Sequence, residues 1–281
     1  MKATFHCGKK GSADHNDRNF DYMSCGDGHI DPDKVKNNVY QSYKNIFPFK
    51  KAELQFYQDQ YTPWIKQQNM ANKLGKTSRK KTARSLLNGS YTKPTEIILQ
   101  IGNRKEHPEA AVFADCVQDF ITSLAPYADN FHILNIAIHN DEHTPHAHIR
   151  GVWDYIDHYG NRHISQTKGL EALQIPLPNP DMEVSMRNNR KMVFDTILRK
   201  KWYDICEEHD LEIDRVPVPD HLIHLEKENY ILLDMKKQID TLEQENFTLK
   251  EELCQMELEL EKIKKELEKE KNKRKENVWE R

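Results

Sequence analysis

Four histidines and two acids fall within the ten residues His139-Asn140-Asp141-Glu142-His143-Thr144-Pro145-His146-Ala147-His148. In an extended chain, positions i and i+2 share a face, so His146 and His148 present their imidazoles side by side. His139 closes the apolar run before them, and a turn containing Pro145 brings the chain back beside it. Three neutral imidazoles converging from two neighbouring strands suit a divalent cation and leave positions open for a substrate oxygen and water. Glu142, in the turn, is placed to orient a ligand or take a proton. A histidine-rich surface turn without metal is the plain alternative, but the spacing H-x-x-E-x-x-x-H-x-H next to a strand argues against it.

Such a cluster needs a scaffold that holds two strands in register. Glu96-Ile97-Ile98-Leu99-Gln100-Ile101 and Phe131-His132-Ile133-Leu134-Asn135-Ile136-Ala137-Ile138 are rich in β-branched residues, which predicts two strands. Between them, Val112, Phe113, Cys116, Val117, Phe120, Ile121 and Leu124 recur with helical spacing within Pro108 to Leu124. His146 to Ile156 reads as a third strand, Asn188 to Asp210 as an amphipathic helix, and the three prolines of Ile175 to Pro180 as a loop. Strand, helix, strand, strand predicts an α+β fold with helices packed on a largely antiparallel sheet. Val216-Pro217-Val218-Pro219 blocks helix continuation. It divides a catalytic domain, 1–215, from an appendage at 221–278 through a Pro-rich joint at 216–220.

In the appendage Leu225, Leu232, Ile239, Asn246, Leu253, Leu260 and Leu267 recur every seven residues. Met235, Leu242, Leu249, Met256 and Ile263 follow members of that series by three. These are a and d positions of a coiled coil, with Asn246 as a register-fixing polar a residue. Glu245–Lys250, Glu259–Lys264 and Glu266–Lys271 attract across a parallel dimer, whereas Glu252–Glu257 repels. A helix folded back on the catalytic domain would need a wider apolar stripe, so the pattern predicts a homodimer.

The 281-residue chain carries a net charge of −3, an average that hides an asymmetry. From Asp220 onward, 13 basic residues face 17 acidic ones, whereas Gln60 to Thr95 holds Lys66, Lys73, Lys76, Arg79, Lys80, Lys81, Arg84 and Lys93 with no acid. That stretch supplies the local field that phosphate binding needs, and Lys73, Lys76, Arg79, Lys80, Lys81 and Arg84 are the candidate DNA contacts. The five cysteines are scattered without a C-x-x-C pair, so neither a disulfide framework nor a thiolate metal site is predicted. No apolar run is long enough to span a bilayer, and Met1-Lys2-Ala3-Thr4-Phe5-His6 lacks the apolar core of a secretory signal, which predicts a cytoplasmic protein.

The histidine segment resembles the third motif of MobV (Pre/Mob) plasmid mobilisation relaxases, H-x-D-E-x-x-P-H-x-H, with His139, Asp141, Glu142, Pro145, His146 and His148 at every fixed position. His146-Ala147-His148 is similar to the His-hydrophobe-His element of the wider HUH endonuclease superfamily. The family's first motif, H-N-x-R, has its counterpart in His15-Asn16-Asp17-Arg18. Its N-x-D-P-x-x-x-x-x-N stretch is matched by His29 to Asn38, with His29 where Asn is usual, and its acidic strand motif more weakly by Glu96-Ile97-Ile98-Leu99. The resemblance runs in order through about residue 215, and family members commonly carry C-terminal coiled coils.

The resemblance implies an HUH-type antiparallel sheet and a metal-dependent enzyme that nicks and rejoins one strand of plasmid origin DNA, in conjugative mobilisation and plasmid recombination. It implies Mn²⁺ or Mg²⁺ on His139, His146 and His148, single-stranded or supercoiled origin DNA as substrate, and the conjugation coupling machinery as a partner. His15 is the implied nucleophile, forming a phosphoramidate, with Arg18 gripping a phosphate oxygen and Glu142 handling a proton. Tyr22, Tyr40 and Tyr43 are rival nucleophiles, since most HUH relaxases use Tyr. Two other readings remain open: an HUH rolling-circle replication initiator, and a non-catalytic DNA-binding dimer whose metal is structural and therefore fully enclosed by four ligands. The tail carries no catalytic motif, so truncation after Pro219 should convert a dimer into a monomer that retains any nicking. Sedimentation tests this, and a full-length chain that stays monomeric at micromolar concentration overturns the dimer.

Overall fold

Strands form where one side chain in two can be buried, and the first, Ala3–Gly8, buries Ala3 and Phe5 and exposes Thr4 and His6 between and after them. The computed structural model describes residues 1–21, 30–73 and 80–215, with further single positions at 239, 242, 244, 246, 248–250, 256 and 264. The elements run β1 (Ala3–Gly8), α1 (Ala13–Asn16), β2 (Val39–Ser42), α2 (Phe49–Lys73), α3 (Ala83–Leu87), β3 (Thr95–Ile101), α4 (Ala110–Ser123), β4 (Phe131–His139), β5 (His146–Ile156), β6 (Arg162–Ile164), α5 (Gln166–Ala172) and α6 (Arg190–Glu208). Five strands form an antiparallel sheet in the order β1-β3-β5-β4-β2, and β6 extends it by pairing with the far end of β5. This is the α+β, antiparallel-sheet architecture that the element order predicts.

The chain divides into two compact units, Met1–Arg215 and Val216–Arg281. The Pro-rich joint at 216–220 and most of the heptad positions lie outside the described residues. Ile239, Leu242, Asn246, Leu249 and Met256 are helical, and the four apolar ones are all more than half exposed. Among the described residues, no helix is long and apolar enough to cross a membrane.

The sheet sorts its side chains by face. Phe5, Ile97, Leu99, Ile101, Ile136, Ile138, Ala147 and Ile149 form one core with Phe113, Cys116, Val117 and Phe120 of α4 and Phe194, Leu198 and Trp202 of α6. The second core lies under α2, where Phe56, Tyr57, Tyr61 and Ile65 meet Leu86 and Leu87 of α3 and Leu134 and Val152 of the sheet. A register shift in β4 between Ile133 and Asn135 lets both Leu134 and Asn135 reach α2. The sequence pattern conceals α2: its apolar face is largely Tyr and Trp between charged residues, and Pro63 inside it reads as a helix breaker.

A buried ion pair ties α2 to the sheet. Arg150 of β5 donates from Nε to Glu53 Oε1 at 2.6 Å and from Nη2 to Oε2 at 3.2 Å, and Asn135 Nδ2 donates to the same Oε1 at 2.9 Å. Glu53 is 2 % and Arg150 6 % exposed, so removing one partner strands a buried charge. Glu53→Ala should therefore lose about 3–5 kcal/mol of stability, and the double change Glu53→Leu with Arg150→Met should regain most of it. Urea unfolding of the three chains checks this, and a single-mutant loss below about 1 kcal/mol would remove the pair from the stabilising set.

Candidate metal centre and active site

The β4–β5 hairpin sets the cluster. In its register His139 lies opposite His146 and Ala137 opposite His148, while Gln100 and Ile98 of β3 lie opposite the same two histidines. Directly opposed residues share a face, so all three imidazoles emerge on the α2 side of the sheet, beyond the end of the core under α2. Their ring centroids stand 5.0 Å (His139–His146), 4.9 Å (His139–His148) and 4.9 Å (His146–His148) apart.

Each imidazole is tied at its outer nitrogen to an acceptor. His139 Nε2 lies 2.8 Å from the Asn16 carbonyl, His146 Nδ1 3.0 Å from the Thr144 carbonyl, and His148 Nδ1 3.1 Å from Glu96 Oε1. These acceptors cannot donate, so those three nitrogens carry protons. Burial above all, with Arg18 and the neighbouring histidines adding to it, pushes His139 down to about 2. Burial and His148 push His146 down to about 4. Both rings are thus neutral at neutral pH, and His139 Nδ1 faces His146 Nε2 at 3.2 Å, lone pair to lone pair.

His148 Nε2 is buried with no hydrogen-bond partner. Two opposed lone pairs repel as they stand, and a cation between them removes that repulsion. The 3.2 Å separation matches two nitrogens each about 2.1 Å from a common ion. The residues present fit a divalent metal.

The nucleophile candidate arrives from α1. Ser12 caps this turn, its Oγ accepting from His15 N at 3.5 Å, and stacking of Phe20 on the His15 ring at 5.7 Å fixes the ring further. Asn16 is 1 % exposed; its carbonyl meets His139 and its Nδ2 donates to Glu96 Oε1 at 2.5 Å. Gly11 passes so close that a Cβ there would lie 1.4 Å from Glu96 Oε2. His15 ends 5.9 Å, centroid to centroid, from both His139 and His148. Burial first, then Arg18 and His148, lower its pKa and favour the neutral imidazole.

Arg18 departs from the role expected of it. Its Nε and Nη2 donate to Asp141 Oδ2 and Oδ1 at 2.8 and 2.7 Å, and Nη2 also to Glu142 Oε1 at 2.8 Å. The side chain is only 3 % exposed, so the edge that would grip a phosphate is already bound to carboxylates. Nη1 remains, 3.4 Å from His15 Nε2. Burial of Asp141 would raise its pKa, yet the Arg18 contact holds it below the usual carboxylate range. Arg18 has φ 56°, a left-handed backbone that turns its side chain inward from the end of α1.

The structure thus brings together His15, Arg18, His139, Glu142, His146 and His148. Two overlapping sets have ligand atoms within 4.8 Å of one another: His15, His139 and His148, and His139, Glu142 and His146. His15, expected outside the ligand set, is within ligating reach, but its near polar partner is the cationic Arg18 rather than an acceptor. Sequence reasoning gave no role to Asn16 and left Glu96 a weak match. Burial as a lone strand carboxylate opposite Arg150 is the signal that singles Glu96 out. The stretch ending at Asn38 clamps the hairpin loop: Asn38 Oδ1 accepts from Asn140 N at 2.7 Å and Asp31 N donates to the Asp141 carbonyl at 2.7 Å.

The basic stretch is described in part. Lys76 and Arg79 are outside the described residues, and Lys73 ends α2. Lys80 and Arg84 are exposed, and Lys81 sits over the Trp64 ring at 4.6 Å. Of the rival tyrosines, Tyr22 is outside the described residues, Tyr43 donates to Asp59 at 3.1 Å, and Tyr40 lies 6.5 Å from the His139 ring with its hydroxyl accepting from Asn38.

No family model matches the chain, and no curated protein matches it. Among solved structures the fold is similar to a Mn-bound MobM relaxase domain (MOBV; Mob_Pre) with plasmid oriT DNA. The TM-score is 0.50 at 12% identity, over 83% of this chain and 100% of that one. A second Mn-bound structure of that domain with oriT DNA gives 0.47 at 12% identity, over 83% and 99%. At such identity the likeness is one of fold.

If Glu96 fixes the tautomer of a ligand, Glu96→Gln should weaken Mn²⁺ binding roughly 10–100-fold without changing the circular dichroism spectrum. Titration calorimetry with Mn²⁺ reads this, and an unchanged affinity would take His148 out of the ligand set.

Proposed function

We propose that this chain is a metal-dependent relaxase of the MobV type, which nicks and rejoins one strand of DNA at a plasmid origin of transfer. The observation that carries the reading is the pair of bare nitrogens of His139 and His146 facing each other at 3.2 Å, with the buried, unpartnered His148 Nε2 on a ring 4.9 Å from both and a further imidazole, His15, 5.9 Å from His139 on a separate element. A structural metal would be closed off by its ligands, whereas a reacting phosphate needs a neighbouring nucleophile, and His15 is that neighbour. The fold likeness to an oriT-bound relaxase domain supports the same substrate class.

A divalent ion, Mn²⁺ or Mg²⁺, held by His139, His146 and His148 would polarise the scissile phosphate and offset the charge that builds on it. His15 forms the N–P bond with its lone pair, one P–O ester bond breaks, and the departing deoxyribose oxygen takes a proton. The proton comes from the other nitrogen of His15, and Glu142, whose charge is felt at His15, relays it. Attack by the released hydroxyl on the phosphoramidate reverses both bonds and rejoins the strand. Arg18 acts here through His15 and Glu142, holding both in place, and not through the phosphate. The basic stretch with Lys80, Lys81 and Arg84 adds sequence-independent affinity for DNA. The heptad tail pairs two chains, and the coupling machinery of conjugation is the partner downstream.

Supercoiled plasmids carrying candidate origins should relax only with Mn²⁺ or Mg²⁺ present, and His15→Ala, His146→Ala and His148→Ala should each reduce relaxation to background. His15→Ala should retain most metal binding, unlike the other two. Mass spectrometry of the proteolysed adduct should find DNA on His15, acid-labile and base-stable. An adduct on Tyr22, Tyr40 or Tyr43 would sink the histidine mechanism, and metal-independent or absent relaxation would sink the enzyme.

A further inference from the structure

Tyr91 is 88% exposed, yet the turn that presents it is held on three sides. Tyr57, buried in α2, donates its hydroxyl to the Thr92 carbonyl at 2.5 Å. Thr92 Oγ1 donates to the Leu86 carbonyl at 2.5 Å, and Lys93 N to the Gly89 carbonyl at 2.8 Å. From the other side of the sheet edge, Lys9 Nζ donates to the Tyr91 carbonyl at 2.7 Å. A large apolar ring held out in water on a fixed backbone forfeits burial without gaining freedom, which is how a stacking surface is built.

Two lysines flank it. Lys9 and Lys93 are half-buried, and burial, with the charge of Lys93 second, lowers the pKa of Lys9. Neither has a carboxylate partner among the described residues. Lys9 Nζ has three donors and uses one on Tyr91, so two remain for an anion.

The place in the fold gives the group its meaning. Lys9 follows Gly8, which pairs with Glu96, and Lys93 precedes Glu96 by three residues, roughly 10 Å of extended chain. Glu96 is the carboxylate behind His148. The exposed ring and the two ammonium groups therefore lie past the Glu96 end of the cluster, Lys93 five residues before Ile98, which pairs with His148, or roughly 17 Å of extended chain.

We propose that Tyr91, Lys9 and Lys93 form a nucleotide-binding step for single-stranded DNA beyond the Glu96 end of the histidine cluster, an unpaired base stacking on the Tyr91 ring while a phosphate bridges the two lysines. This rests on the reading of the chain as a DNA strand-nicking enzyme and names where the strand lies beside the site. A duplex shows its base faces only at its ends, so the step selects an unpaired strand.

The test measures fluorescence anisotropy of a labelled mixed-sequence single-stranded oligonucleotide with the full-length chain, in chelator so that nothing is cut. Tyr91→Phe should bind within about twofold of wild type, and Tyr91→Ala roughly ten-fold more weakly. Changing Lys9 and Lys93 together to Gln should flatten the slope of log affinity against log salt by roughly 0.7 for each phosphate no longer neutralised. A bromodeoxyuridine oligonucleotide should cross-link to the peptide containing Tyr91. No binding by wild type, wild-type affinity in Tyr91→Ala, or equal competition by a blunt duplex each overturns the step. If wild type nicks origins but Tyr91→Ala binds normally, only this step fails. If Tyr91-dependent binding appears without metal-dependent nicking, the relaxase reading fails and the binding site stands.

Discussion

A guanidinium buried with two carboxylates joins the N-terminal turn to the β4–β5 hairpin, and the geometry of the site follows from it. Arg18 reaches Asp141 across 123 residues of sequence, and the same side chain touches Glu142 and His15. Its double contact with Asp141 fixes direction as well as distance, which a lysine could not do. With Asn16, which meets His139 and Glu96, that pair holds the N-terminal turn against the hairpin, and without it a buried Asp141 would be left uncompensated.

The surroundings of the cluster are electrostatically one-sided. His139 and His146 point bare nitrogens at each other, and Arg18 adds a positive charge that disfavours protonating these rings and His15. The anionic side is carried by Glu96, Asp141 and Glu142, each held by a donor from the protein. Neutral imidazole is both the form that ligates a metal and the form that acts as a nucleophile, so the same electrostatics suit either proposed role. Below it, Glu53 and Arg150 keep the sheet and α2 together, so the cluster rests on a packed floor and not on a loop.

Much of this was legible in the sequence because strand periodicity is short-ranged. The spacing of His146 and His148, and the apolar run ending at His139, already place three rings on one face. The helices α4 and α6 show because their apolar stripes are aliphatic and aromatic without interruption. What stayed hidden depends on distant partners. Arg18 looks like a phosphate ligand until Asp141 is found beside it, and the stretch through Asn38 is opaque until its contact with the hairpin loop is seen. The helix α2 was obscured by Pro63 and by tyrosines whose hydroxyls find buried partners, such as Tyr61 on Asp154. The heptad tail is plain as a pattern, but most of it lies outside the described residues.

The hairpin register also ranks the assembly of the site in time. His139 and His146 are seven residues apart and face one another as soon as the β4–β5 turn closes. Arg18 and Asp141 are separated by 123 residues, and closing that longer loop costs about 2.5 kcal/mol more in chain entropy. Local contacts form first and distant ones last. A partly folded chain therefore sets His139 against His146 before it seats His15 beside them, which waits until both ends of the domain have met. The long-range clasp is in this sense a safety catch: the four imidazoles come together as one group only at the final stage of the domain's own folding.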